Sequence, residues 1–118
     1  MLLADTSVWI QHFRRGEPHL ASLLADGQVL MHPFVLGELA CGNLKNRAEI
    51  LASLHALPSA KPASTAEALR LIEGRQLSGR GLGWVDVHLL ASALLSACDF
   101  WTLDKRLADA AAELGLNS

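Results

Sequence analysis

Four acids in this sequence stand where carboxylates can do chemistry: Asp5, Glu38, Asp86 and Asp104. Asp5 closes the apolar opening MLLA and is followed by two hydroxyls, Thr6 and Ser7. Asp86 comes directly after the glycine-rich SGRGLG, at the start of WVDVHLLASALLSA. Asp104 follows the apolar run FWTL, and Glu38 is embedded in FVLGELAC. In parallel α/β sheets, ligands bind beyond the carboxyl ends of strands, beside helix N-termini. Gathered in one such pocket, the four would repel, two carboxylates at about 4 Å costing on the order of 1–4 kcal/mol. A cluster of this kind stays partly protonated or holds a cation. Oxygen-only donors suit Mg²⁺ or Mn²⁺ better than zinc. The chemistry of such an ion is in-line phosphoryl transfer with a metal-activated water.

Each acid also has a plainer reading. Asp5, Asp86 and Asp104 read as helix-start acids, worth roughly 0.3–1 kcal/mol each against the helix dipole. Glu38 reads as a solvated helix residue. Their company argues for more. Asp86 precedes an almost wholly apolar helix, and no lysine or arginine is near Asp5 or Asp86 in sequence. A buried carboxylate needs a partner. His88 lies two residues after Asp86, a spacing that points it to another side of a helix, so it reads as structural. The other histidines show no ligand spacing. Trp9, Trp84 and Trp101 read as core, and Asp99 as a turn acid.

The elements that must position these residues follow from pattern and punctuation. Leu2 to Ala4 read as a buried strand, and Ser7 to Arg14 as a helix stopped by Gly16. Pro18 opens a second helix at an allowed first-turn position, and Asp26-Gly27 ends it. Gln28 to Met31 reads as a strand. Pro33 opens a helix that ends near Gly42, and Arg47 to Leu57 form another, stopped by Pro58. PSAKPAS is a loop with room for a short edge strand. Thr65 is expected to cap TAEALRLIEGRQL. WVDVHLLASALLSA is apolar nearly all round, hence buried. Asp99 to Thr102 read as a strand, and LDKRLADAAAEL as a closing helix with Gly115 just past its end. Short strands alternating with helices imply an α/β fold: a mainly parallel sheet with helices on both faces, in three layers. SGRGLG follows a helix rather than a strand, so it lacks the context of a phosphate cradle.

The 118 residues match one domain by size, residues 1–118. The apolar share of 51% is high and suggests a surface covered by a partner or a second copy. Cys41 and Cys98 show no metal or disulfide spacing and read as buried free thiols of a reducing cytoplasm. No basic leader precedes the first strand, and no run approaches the roughly 18 apolar residues of a membrane span. These features give cytoplasmic as the expected location and no membrane partner. The formal net charge of −2 argues against general nucleic-acid affinity. Setting aside the four acids leaves eight of the 12 acids against 10 basic residues, which reverses that sign outside the site. Lys105 and Arg106, beside Asp104, are the first candidates for phosphate contacts, with Arg14 and Arg15 next. Lys45 with Arg47 and Arg75 with Arg80 are further pairs. Each pair also reads as a solvated helix end.

DTSVW after the first strand, the GEL segment, GLGWVDVHLLASAL and WTLDKRL near the C-terminus together resemble the PIN-domain ribonucleases, and more narrowly the VapC-type toxins of bacterial toxin–antitoxin pairs. The resemblance covers essentially the whole chain, and its two C-terminal motifs are the specific ones. It implies a PIN-like domain that acts as an endoribonuclease on RNA. It implies a quartet of acids holding one or two Mg²⁺ or Mn²⁺ ions, which carries over to Asp5, Glu38, Asp86 and Asp104. Thr6, Ser7 and Thr102 match hydroxyl positions that orient the acids or a water, a role compatible with capping. It further implies homodimers and a cognate antitoxin that blocks the acidic pocket. The chain departs from the family in a short helical region between Leu44 and Leu77, and in Leu107 where many relatives carry Phe.

Two other classes compete. One is a non-catalytic RNA- or protein-binding module on the same fold, against which the intact quartet counts. The other is a phosphoacceptor receiver domain. That would need paired acids after the first strand and an Asp after a middle one, and neither is present.

Overall fold

The computed structural model describes all 118 residues. The sheet has three parallel strands, β1 (Leu2–Ala4), β2 (Val29–Leu30) and β3 (Asp99–Trp101), in the order β2-β1-β3. Leu2 pairs with Val29 on one side and with Asp99 on the other. The chain therefore leaves β1 towards one edge and returns on the other, so the carboxyl ends of β1 and β3 lie side by side. This is the crevice that parallel sheets use for ligands. The amide of Asp5 extends the ladder by donating to the carbonyl of Trp101 (3.0 Å).

Seven helices flank the sheet, giving the three-layer α/β/α arrangement of the expected class: α1 (Thr6–Arg15), α2 (Pro18–Ala25), α3 (Pro33–Cys41), α4 (Arg47–His55), α5 (Thr65–Arg75), α6 (Trp84–Ser96) and α7 (Lys105–Glu113). A cluster of 23 buried apolar residues joins strands to helices, with Leu3, Trp9, Leu90, Phe100 and Leu107 among the most enclosed. The helix ends use local chemistry. Gly16 ends α1 at φ 75, a conformation that costs glycine little. Gly115 follows α7 at φ 80.

Several expectations are corrected in detail. Ser64, not Thr65, caps α5: its hydroxyl accepts from the Glu67 amide while Glu67 accepts from the Ser64 amide. The box pattern one residue earlier wins because it satisfies two free amides at once. The edge strand in PSAKPAS is a single parallel bridge, Met31 to Ser59. The strands are shorter than expected at Gln28 and Thr102. Cys41 is exposed rather than buried. Trp84 is 43% exposed, and Leu94 and Leu95 on the last turn of α6 are exposed too. Only the stretch Val87 to Ala93 of that helix is enclosed.

One buried side chain ties two of the acid-bearing helices together. His32 precedes Pro33, which holds it extended at the N-cap of α3. Its Nδ1 accepts from the Phe34 amide (2.9 Å), capping α3. Its Nε2 lies 3.1 Å from the Ser92 hydroxyl on α6. Because Nδ1 accepts, the proton sits on Nε2 and is donated to Ser92. His32 is 1% exposed and Ser92 fully buried. Burial, with a smaller contribution from the His88 ring, pushes the His32 pKa down to about 4. The unfolded chain protonates this histidine near pH 6.5 while the folded chain does not. The contribution is therefore intact above about pH 6.5 and lost as pH falls towards 4, a change of about 3 kcal/mol. Urea unfolding at pH 7 and pH 4 is expected to show a pH dependence about 3 kcal/mol smaller in His32→Gln than in the parent; equal dependence would remove this account of His32.

Candidate active site

Asp5 is the best-held of the four acids. It is 7% exposed and caps α1, its Oδ1 accepting from the Ser7 amide (2.9 Å) and from the Ser7 hydroxyl. Its Oδ2 accepts from the Thr102 hydroxyl at 2.6 Å, across 97 residues of sequence. Thr102 Oγ1 in turn accepts from the Asp104 amide (3.1 Å), and Ser7 Oγ from the Leu103 amide (3.0 Å). The two hydroxyls thus stitch the loop after β3 to the carboxylate after β1. The strand pairing makes this possible, because it ends both strands at the same height.

The other acids are arranged around this pair. Asp104 caps α7, its Oδ1 accepting from the Leu107 amide (3.0 Å). Asp86 sits in the first turn of α6 and its Oδ2 accepts from the Gly83 amide (2.8 Å). Glu38 projects from α3, with Oε1 accepting from the Thr6 hydroxyl at 2.5 Å. Asp5 and Asp104 are therefore helix caps and Asp86 a first-turn acid, as the plain reading has it. In each of Glu38, Asp86 and Asp104, the second carboxylate oxygen accepts no hydrogen bond from the protein.

Electrostatics shows the four sharing one region. The Asp86 carboxyl is pushed up from its usual range, first by burial, then by the charges of Asp104, Asp5 and Glu38; the Gly83 amide acts in the opposite direction. No side-chain cation relieves that repulsion, since the two ion pairs of the molecule are Arg80–Glu113 and Lys105–Asp109. No three His, Cys, Asp or Glu side chains are drawn tightly enough to chelate one ion. Hard oxygen donors, unpaired charge and free carboxylate oxygens nonetheless fit a divalent cation, and that ion's charge would draw the groups inward.

The basic candidates divide. Arg80 is held by Glu113 (2.6 Å). Lys105 reaches Asp109 (3.2 Å) but its side chain stays 87% exposed. Arg106 lies across Gly81, where an added Cβ would come 2.6 Å from its guanidinium and where φ is +80. Arg80 and Arg106 thus brace the glycine loop that delivers Asp86 against α7. Arg47 is spent on the carbonyls of Gly42 (3.1 Å) and Ala40. Arg14 and Arg15, at the end of α1, take part in no ion pair. His88 is buried between Trp84 and Phe34, with ring centroids at 4.5 and 5.0 Å, rather than beside the acids. Sequence reading missed His32 and Ser92. The visible signal was a His-Pro pair opening the helix that carries Glu38.

Comparison with known proteins identifies the family. The PIN domain family model matches residues 2–113. Ribonuclease VapC32 of Mycobacterium tuberculosis, from strain CDC 1551 / Oshkosh and from strain ATCC 25618 / H37Rv, is 46% identical over 120 residues, covering 98% of this chain and 94% of the relative. A match of that extent takes in every segment that carries an acid of the quartet. The chain belongs to the PIN-domain family, among its VapC-type ribonucleases.

Proposed function

We propose that this protein is a divalent-metal-dependent endoribonuclease and the toxin of a toxin–antitoxin pair. The observation that carries the reading is four carboxylates on four elements, three of them (Asp104, Asp5 and Glu38) acting on the fourth, Asp86, with no cationic side chain paired to any of them. Asp5 and Asp86 are the principal ligands for Mg²⁺ or Mn²⁺, with Glu38 and Asp104 completing the set. Bound there, the ion would neutralise the carboxylates and supply Lewis acidity and an activated water for attack at phosphorus. The chain's own residues set the stage. Ser7 and Thr102 fix both oxygens of Asp5, and Thr6 fixes Glu38. Arg14, Arg15, Lys105 and Arg106 are assigned to backbone phosphates outside the acids, where positive charge offsets the repulsion that RNA meets at the rim.

A cognate antitoxin protein is assigned to block the acidic pocket, and cytoplasmic action follows from that role. The chain is taken as one domain, residues 1–118. No helix is long and apolar enough to cross a membrane. The implied homodimer would cover apolar side chains that one chain leaves open: Leu69, Trp84, Leu94 and Leu95 on α5 and α6.

Purified protein is expected to cut cellular RNA into discrete fragments with Mg²⁺ or Mn²⁺ and not with EDTA. Asp5→Asn and Asp86→Asn should lower the rate by about a hundred-fold or more, and Thr102→Val by about ten- to a hundred-fold through loss of an orienting hydrogen bond. Undiminished cleavage by the Asn variants would exclude the mechanism. Metal binding with no turnover on any RNA would favour the non-catalytic binding module. For assembly, Leu95→Glu is expected to elute as a monomer in size-exclusion chromatography where the parent elutes as a dimer; a monomeric parent would refute the assignment of a dimer.

A further inference from the structure

Beside the acids lies a cavity of about 650 Å³, walled by α1, α3 and the turn into α4. Glu38 forms part of its wall, so the cavity and the acid site share a residue. Its apolar lining comes from Ile10, Phe13, Leu39, Leu44 and Ile50. The Phe13 ring leans on buried Trp9 (5.9 Å between centroids) and is still 36% exposed, a supported ring with open surface. Asn43 and Asn46 add carboxamides, and Arg14 and Lys45 add charge. Asn46 stands at the N-cap of α4 in the left-handed region (φ 52) yet makes no capping bond, which leaves its carboxamide unspent. Neither Arg14 nor Lys45 belongs to an ion pair.

This chemistry suits a nucleotide better than a polypeptide. A groove built for an amphipathic helix presents a continuous apolar track, whereas only five of the eleven lining residues here are apolar. Unpaired bases are recognised by stacking on aromatic rings and by hydrogen bonds to their edges. Phe13 and the two carboxamides supply those two functions, and Arg14 and Lys45 suit the adjoining phosphates. A volume of this order accommodates a small-molecule-sized group.

We propose that this cavity is a nucleobase pocket. It takes the base of one unpaired nucleotide flanking the scissile phosphate and thereby sets the sequence preference of cleavage. The assignment deepens the ribonuclease reading and rests on it.

The test uses an Asn43→Ala/Asn46→Gly double variant, glycine keeping the left-handed backbone at position 46, and a separate Phe13→Ala variant. Fragment ends from a randomised RNA pool are sequenced for each protein. The parent is expected to prefer one base at one position beside the cut, and the double variant to relax that preference about ten-fold while the other positions hold. Affinity for single-stranded DNA tetramers is measured in parallel, and Phe13→Ala should weaken it about ten-fold. Unchanged preference and unchanged affinity would overturn the pocket even if cleavage persists. A parent that cuts no RNA, with tetramer affinity still dependent on Phe13, would overturn the ribonuclease reading and sustain the pocket. Variants that keep preference and affinity but escape inhibition by the antitoxin would give the cavity to that protein and overturn the proposal.

Discussion

The charge that Asp104, Asp5 and Glu38 bring to bear on the half-buried Asp86 carboxyl is the constraint around which the site is built. Burial alone makes a carboxylate costly, and each neighbouring charge adds to that cost. The fold holds them together anyway, without one cationic partner. The opposing force is the apolar cluster beneath: each fully buried large side chain contributes roughly 1.5–3 kcal/mol, and 23 buried apolar residues join in one cluster. The parallel pairing of β1 with both neighbours is the lever. It sets Asp5 beside Thr102 and keeps the exits of β1 and β3 level.

The same side chains serve structure and site at once. Asp5 and Asp104 cap the helices they precede, and Asp86 reaches back to the Gly83 amide. In Asp86 and Asp104 this fixes one oxygen and leaves the other free, whereas both oxygens of Asp5 are held, by Ser7 and Thr102. The hydroxyls of Thr6, Ser7 and Thr102 complete the positioning, and His32 joins the helix of Glu38 to the helix of Asp86 from below. The cap role of these acids and the ligand role proposed for them use the same arrangement.

Much of this was legible in the sequence because it is written locally. Apolar triplets ending in an acid mark strand exits, and glycine and proline mark where helices start and stop. Asp5 and Asp104 could be named from strand exits, Asp86 from the glycine loop before its helix and Glu38 from its apolar surroundings, whereas the roles of Thr6, Ser7 and Thr102 came only from the PIN-domain resemblance. What the sequence hid depends on contacts between distant segments. Nothing near Cys41 or Trp84 announces exposure, since periodicity reports a face and not what covers it. The fates of Arg47 and Arg80 were hidden too, because their partners are backbone carbonyls and a residue 33 positions away. The link from His32 to Ser92 was hidden for the same reason: it spans 60 residues.

The central claim is that a divalent cation relieves a repulsion the protein otherwise sustains, and thermal melting tests it most directly. Melting temperature would be measured in EDTA and in Mn²⁺ for the parent and for Asp86→Asn. The account expects Mn²⁺ to raise the Tm of the parent, and Asp86→Asn to melt higher than the parent in EDTA while gaining less from Mn²⁺. A parent indifferent to Mn²⁺, or an Asp86→Asn variant that melts lower in EDTA and responds to the ion as the parent does, would contradict it.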